Sequence, residues 1–210
     1  MTGATLERPH VWRPGAGGPP LLLLHGTGGD EHDLLPLAER LAPTAAVLSV
    51  RGTVLENGMP RFFRRLAEGV FDEADLRARV DELAAFLGVA EKKYGVEAGS
   101  WTAVGFSNGA NVASALLMLR PEALAAAVLL AAMVPLADPP AADLSGKRVL
   151  VANGERDPMA TPAQTDTLVA QLRARGADVV VLPHGGGHTV DPRQLPRLAE
   201  FVRQPRVGGS

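Results

Sequence analysis

A doubly wound α/β sheet, mostly parallel, is the fold class this sequence predicts, and two observations carry that expectation. Six short apolar runs, at 21–25, 45–50, 101–106, 125–130, 147–153 and 177–183, have strand length and lack the polar alternation of a half-exposed sheet. Segments with helical spacing or helix-start signals separate the later runs, so strand and helix alternate along the chain. With 210 residues and 46% apolar content, the chain is expected to form one domain, 1–210, around one sizeable core.

Taken in order, 1–18 reads as an N-terminal extension, with an extra edge strand at 10–14. The stretch 51–71 is too long for a plain connector and reads as a functional loop or as the seat of short helices. Glu73–Tyr94 places Leu76, Val80, Leu83, Leu87 and Ala90 on one stripe, which predicts a long helix capped by Asp72. A further helical run covers 110–119, and 135–142 reads as an extended connection. Thr161-Pro162-Ala163-Gln164 and Asp191-Pro192-Arg193-Gln194 each set a capping oxygen before proline, which predicts helices at about 162–175 and 192–203, ahead of a flexible tail at 204–210.

Composition narrows the function. The chain carries 21 basic and 23 acidic residues, net charge -2, with no basic stripe to neutralise a phosphate backbone, so nucleic acid is not an expected partner. Zero cysteines remove disulfides, thiolate nucleophiles, iron–sulfur clusters and cysteine-type zinc sites together. The N-terminal sequence lacks the apolar core of a signal peptide and Leu21–Leu24 is far too short to cross a bilayer, so no stable membrane anchor and a cytoplasmic location are expected.

Chemistry concentrates at Gly105-Phe106-Ser107-Asn108-Gly109, which directly follows one apolar run and opens a helical one. A strand-to-helix elbow needs small residues two before and two after its serine, and it aims a helix N-terminus at the reacting carbon. Ser107 is therefore the expected nucleophile, with the Asn108 N–H as one oxyanion donor. After the 21–24 run comes His25-Gly26-Thr27-Gly28-Gly29-Asp30, where the Thr27 N–H is assigned as the second donor, with Gly28 or Gly29 as competitors. A phosphate-loop reading of this segment lacks the required spacing.

A serine nucleophile needs a base and an orienting acid. Asp157 follows the 147–153 run and His188 follows the 177–183 run, where sites of parallel sheets are built. His184 competes with His188, and Glu155 with Asp157. Asp30, Glu31, His32 and Asp33 crowd polar groups into one loop, which reads as solvated turn chemistry, and neither metal nor organic cofactor is expected. Met59, Phe62, Phe63 and Phe71 give 51–71 a concentration of large apolar groups. They read as a wall of the substrate pocket or, alternatively, as packing that pins a surface helix.

The motifs GFSNG, HGTGGD, GERDP and GGGH together resemble the bacterial carboxylesterase/phospholipase branch of the α/β-hydrolase superfamily, akin to acyl-protein thioesterases, over residues 19–203. The resemblance implies a minimal α/β-hydrolase fold without a lid domain. It implies Ser107 as nucleophile, Asp157 as acid, His188 as base and Thr27 with Asn108 as the oxyanion hole. Thr27 and Asn108-Gly109-Ala110 stand where acyl-protein thioesterases usually carry Leu and Gln-Gly-Gly. The text RGTVLENGMPRFFRR is similar to members linked to hydroquinone metabolism. The resulting expectation is a serine carboxylesterase for small to medium acyl esters, with thioesterase or lysophospholipase activity as the alternative and a homodimer compatible with it.

Overall fold

The computed structural model describes residues 7–204. Its elements in chain order are β1 (His10–Arg13), β2 (Leu21–Leu24), α1 (Leu35–Leu41), β3 (Val47–Val50), β4 (Val54–Glu56), β5 (Met59–Arg61), β6 (Arg65–Ala67), β7 (Val70–Phe71), α2 (Glu73–Tyr94), β8 (Trp101–Phe106), α3 (Asn108–Leu119), β9 (Leu124–Leu130), β10 (Arg148–Ala152), α4 (Pro162–Arg173), β11 (Asp178–Val181) and α5 (Leu195–Arg203). Seven strands form the central sheet in the order β1-β3-β2-β8-β9-β10-β11. Only β1 runs antiparallel, against β3.

The continuous apolar strands are covered on both faces. Along β2, Leu22 and Leu24 join the core beneath α2, α3 and α4, while Leu21 and Leu23 join the second core beneath α1 and α5. Period-two alternation thus shares one leucine run between two cores. Helix α3 is buried from Asn108 to Met118, and the alanines along NGANVASALLML let it lie close to the sheet.

Helix signals operate as read. Asp72 accepts the Asp75 N–H at 3.0 Å at the start of α2, and Thr161 accepts the Gln164 N–H at 3.3 Å at the start of α4. The last helix departs in detail: 192–194 forms a 3₁₀ turn capped by Asp191 and α5 starts only at Leu195. Pro196 has no N–H to return to the carbonyl of residue 192, so the first turn closes with the tighter pattern.

The segment 51–71 holds no helix. It forms two short antiparallel hairpins, β4–β5 and β6–β7. Asn57 (φ 51) and Gly58 (φ 79) turn the first, a pair with the positive φ values of a two-residue hairpin turn. No lid domain stands over the sheet among the described residues, and none of their helices is long and apolar enough to cross a membrane. At the far edge, Arg173 Nη2 donates to the Val179 carbonyl of β11 at 2.9 Å.

Candidate active site

The strand order reverses direction at β2 and β8: from β2 the chain moves outward to β3, then returns to β8 on β2's other side. Loops after the C-terminal ends of these two strands diverge and leave a crevice, where sites of open α/β sheets form. One loop is 25–30 and the other is the turn at Ser107.

Ser107 joins β8 to α3 with φ 53 and ψ −116, a conformation L-residues rarely adopt. Its flanking glycines are sterically required. A Cβ on Gly105 would stand 2.5 Å from the Gly109 carbonyl oxygen, and one on Gly109 would stand 1.9 Å from that of Leu24. The Ser107 N–H donates to Leu130 O at 2.8 Å, anchoring the turn to β9.

Three side chains from distant segments meet there. Ser107 Oγ lies 2.8 Å from His188 Nε2, and His188 Nδ1 lies 2.7 Å from Asp157 Oδ2. The Nδ1–H donates to the carboxylate, which leaves Nε2 to accept the serine proton. Asp157 has a fully buried side chain, and its other oxygen accepts the Met159 and Ala160 N–H groups at 2.8 and 3.0 Å. The loop at 154–157 is knitted to 184–188 by Glu155 N–H to His184 O (2.8 Å) and Arg156 N–H to Gly186 O (3.0 Å). At Gly154 a Cβ would stand 2.3 Å from the Gly187 carbonyl oxygen, so this glycine permits close contact between the two loops. Phe106 packs its ring 5.4 Å from that of His188.

The competitors lie elsewhere. Glu155 is exposed. His184 is buried and accepts the Gly186 N–H on Nδ1 at 3.1 Å, which leaves its buried Nε2–H without a partner among the described residues. His25 is also buried, and burial pushes its pKa below the ordinary value. It donates from Nδ1 to Gly26 O at 2.6 Å and accepts the Gly52 N–H on Nε2 at 2.9 Å, tying the 25–29 loop to the start of the hairpin segment.

Among the three donors considered in that loop, the Gly28 N–H is taken by Pro60 O at 2.9 Å and the Gly29 N–H by Gly26 O at 3.1 Å. The Thr27 N–H has no partner among the described residues. The Asn108 N–H belongs to the first turn of α3, where helix geometry leaves it free.

The hairpin residues divide. Phe62 and Phe63 are 2% and 0% exposed and belong to the core beneath α2 and α3, with Phe63 edge-on to Phe71 at 5.1 Å. Met59 is 40% exposed beside Gly28, and Leu55, Leu66 and Val70 also face outward.

Two side-chain roles escape sequence reading. Arg61, which shares its stretch of sequence with Arg64 and Arg65, is only 3% exposed and donates to the Thr27 hydroxyl at 2.7 Å. Burial holds its pKa below the ordinary guanidinium value, against the opposing pull of Glu56. Asn108 is buried and accepts the Phe62 N–H on Oδ1 at 2.7 Å.

Asp30, Glu31 and His32 bring potential metal-donor atoms within 4.8 Å of one another. Arg51 already pairs with Glu31 at 2.5 and 2.9 Å, and Asp30 accepts the His32 N–H at 2.8 Å. The donor set is thus committed to a cation and a turn.

The FSH1 serine hydrolase family model matches residues 79–202. Over 198 residues, 94% of this chain and 99% of the relative, the sequence is 43% identical to the Bacillus subtilis (strain 168) protein named "Putative hydrolase MhqD". The Bacillus cereus carboxylesterase structure superposes with a TM-score of 0.91 at 46% identity, covering 93% of each chain. A carboxylesterase from Mesorhizobium loti gives a TM-score of 0.85 at 34% identity, covering 91% of each.

Proposed function

Because the chain belongs to the FSH1 serine hydrolase family, we propose that it is a carboxylesterase that cleaves small to medium acyl esters through an acyl-enzyme on Ser107. The observation that carries the reading is the unbroken relay from Ser107 Oγ through His188 to buried Asp157. The carboxylesterases that this chain resembles support the ester as substrate class.

Ser107 Oγ attacks the ester carbonyl carbon as His188 Nε2 takes its proton, and Asp157 stabilises the resulting imidazolium. The carbonyl oxygen becomes an oxyanion facing the N–H groups of Thr27 and Asn108, each worth roughly 10²- to 10³-fold in rate. Collapse expels the alcohol, which leaves with the proton from Nε2. Water then attacks the acyl carbon, gives its proton to Nε2, and the acid departs as Ser107 recovers its proton.

Met59 beside Gly28 supplies an apolar flank for the acyl or alcohol group. Without a lid domain among the described residues, this flank suits modest substrates. The proposal is of a cytoplasmic enzyme that works without metal or organic cofactor on a small-molecule ester.

Fluorophosphonate labelling and hydrolysis of p-nitrophenyl esters test it. Ser107→Ala should abolish labelling and lower kcat by about 10⁴- to 10⁶-fold, and His188→Ala should lower it comparably, whereas His184→Ala should retain most turnover. Normal turnover by Ser107→Ala would defeat the proposal.

A further inference from the structure

The loop carrying Thr27 is rich in glycine, and Gly28 sits at φ +82. Such backbone samples many conformers unless it is held, yet donors to a developing oxyanion must stand within about 0.5 Å of their working positions. The strap 60–62 supplies the hold. Pro60 O accepts the Gly28 N–H at 2.9 Å, Arg61 Nη1 donates to Thr27 Oγ1 at 2.7 Å, and the Phe62 N–H donates to Asn108 Oδ1 at 2.7 Å.

We propose that Arg61 is a positioning residue for the oxyanion hole, fixing Thr27 through its hydroxyl while the adjacent Phe62 N–H fixes Asn108. Two donors remote in sequence are thereby set by one strap. The inference rests on the reading of Thr27 and Asn108 as oxyanion donors.

The surroundings of Arg61 favour this role over direct substrate binding. Its Nε donates to Phe63 O at 3.2 Å, Glu56 pairs with it at 3.2 Å, and its guanidinium carbon lies 5.9 Å from the Phe63 ring centre. With its counter-ion in place and only 3% of the residue exposed, it is not a receptor for a substrate carboxylate. A buried cation is costly where an apolar side chain could pack against Phe63. What the guanidinium adds is a rigid fork that reaches the Phe63 carbonyl and the Thr27 hydroxyl together, which an ammonium reproduces only in part.

The test compares Arg61→Met, Arg61→Lys, Thr27→Val and the Arg61→Met/Thr27→Val double variant on a p-nitrophenyl ester. An alkyl boronic acid, whose tetrahedral adduct on Ser107 mimics the oxyanion intermediate, serves as inhibitor. Thr27→Val keeps the N–H and removes only the hydroxyl. Arg61→Met and Thr27→Val should each lower kcat about 10- to 100-fold with KM within about threefold, because the donor is displaced and the substrate site is not. The double variant should be no worse than the worse single variant, since both cut the same bond. Arg61→Lys should recover part of kcat, and boronic acid affinity should fall by the same factor as kcat.

Wild-type kcat in Thr27→Val, losses that multiply in the double variant, or a raised KM with kcat unchanged would each overturn the inference. Should Arg61→Met fail to fold, Thr27→Val and Arg61→Lys decide alone. A wild-type chain that takes no fluorophosphonate on Ser107 would instead overturn the esterase reading. If the wild type is labelled and active and Thr27→Val matches it, only the role of Arg61 fails.

Discussion

The His25 ring makes both of its bonds only when neutral, since Nε2 must accept from Gly52 while Nδ1 donates to Gly26. Burial lowers its folded-state pKa below 6.5, so below about pH 6.5 the unfolded chain binds a proton that the folded chain refuses. Stability from this residue is therefore complete above that pH and is lost as pH falls. The wild-type Tm should drop more between about pH 7 and 5 than that of His25→Gln, whose amide can supply one donor and one acceptor. Equal pH slopes in differential scanning calorimetry would refute this. Ser107 poses the opposite case, in which the residue is placed against its own backbone preference (φ 53, ψ −116). Glycine tolerates that region, and the relief of roughly 1 to 3 kcal/mol exceeds most of the unfolded-state entropy that glycine adds. Ser107→Gly should unfold at higher urea concentration than Ser107→Ala, although both should lack turnover. The reverse order would show that the turn is unstrained.

Among elements, the hairpins at 51–71 depart furthest from expectation. Their buried faces support the fold: Phe63→Ala should cost about 3 to 5 kcal/mol in urea titration, whereas Leu66→Ser, at a position 73% exposed, should shift the midpoint little. A midpoint unchanged in Phe63→Ala would remove this residue from the core. The long elements were legible because physics repeats itself along them. Continuous apolar runs mark strands covered on both faces, and Asp72, Thr161 and the stripe from Leu76 to Ala90 mark helices. Three-residue strands carry no period to read, yet the Asn57-Gly58 pair was an available hairpin signal. At the site, the elbow glycines and the order Ser107, Asp157, His188 were readable because each side chain follows its own strand. Arg61 was not. Its burial depends on Glu56, Phe63 and Thr27 converging in space, and nothing local separates it from exposed Arg64.

On the scale of the whole molecule, the central sheet ends in two unlike strands, antiparallel β1 and parallel β11. Asp178 and Leu182 direct their N–H groups to Lys147 and Val151 on the β10 side, so Val179 and Val181 turn their backbone groups outward. That rim also exposes Val180 and Val181 at 37% and 39%. Left unguarded, a rim of this kind is a template on which another copy can add its own strand, and a sheet extended this way has no built-in end. The Arg173 guanidinium occupies the Val179 carbonyl and sets a charge where the next strand would have to lie. Arg173→Ala should therefore scatter more light and associate faster at high concentration while retaining ester turnover. If its light scattering matches wild type, the guanidinium is no guard. Resistance to fibre-like growth would thus draw on an α4 side chain remote from the crevice.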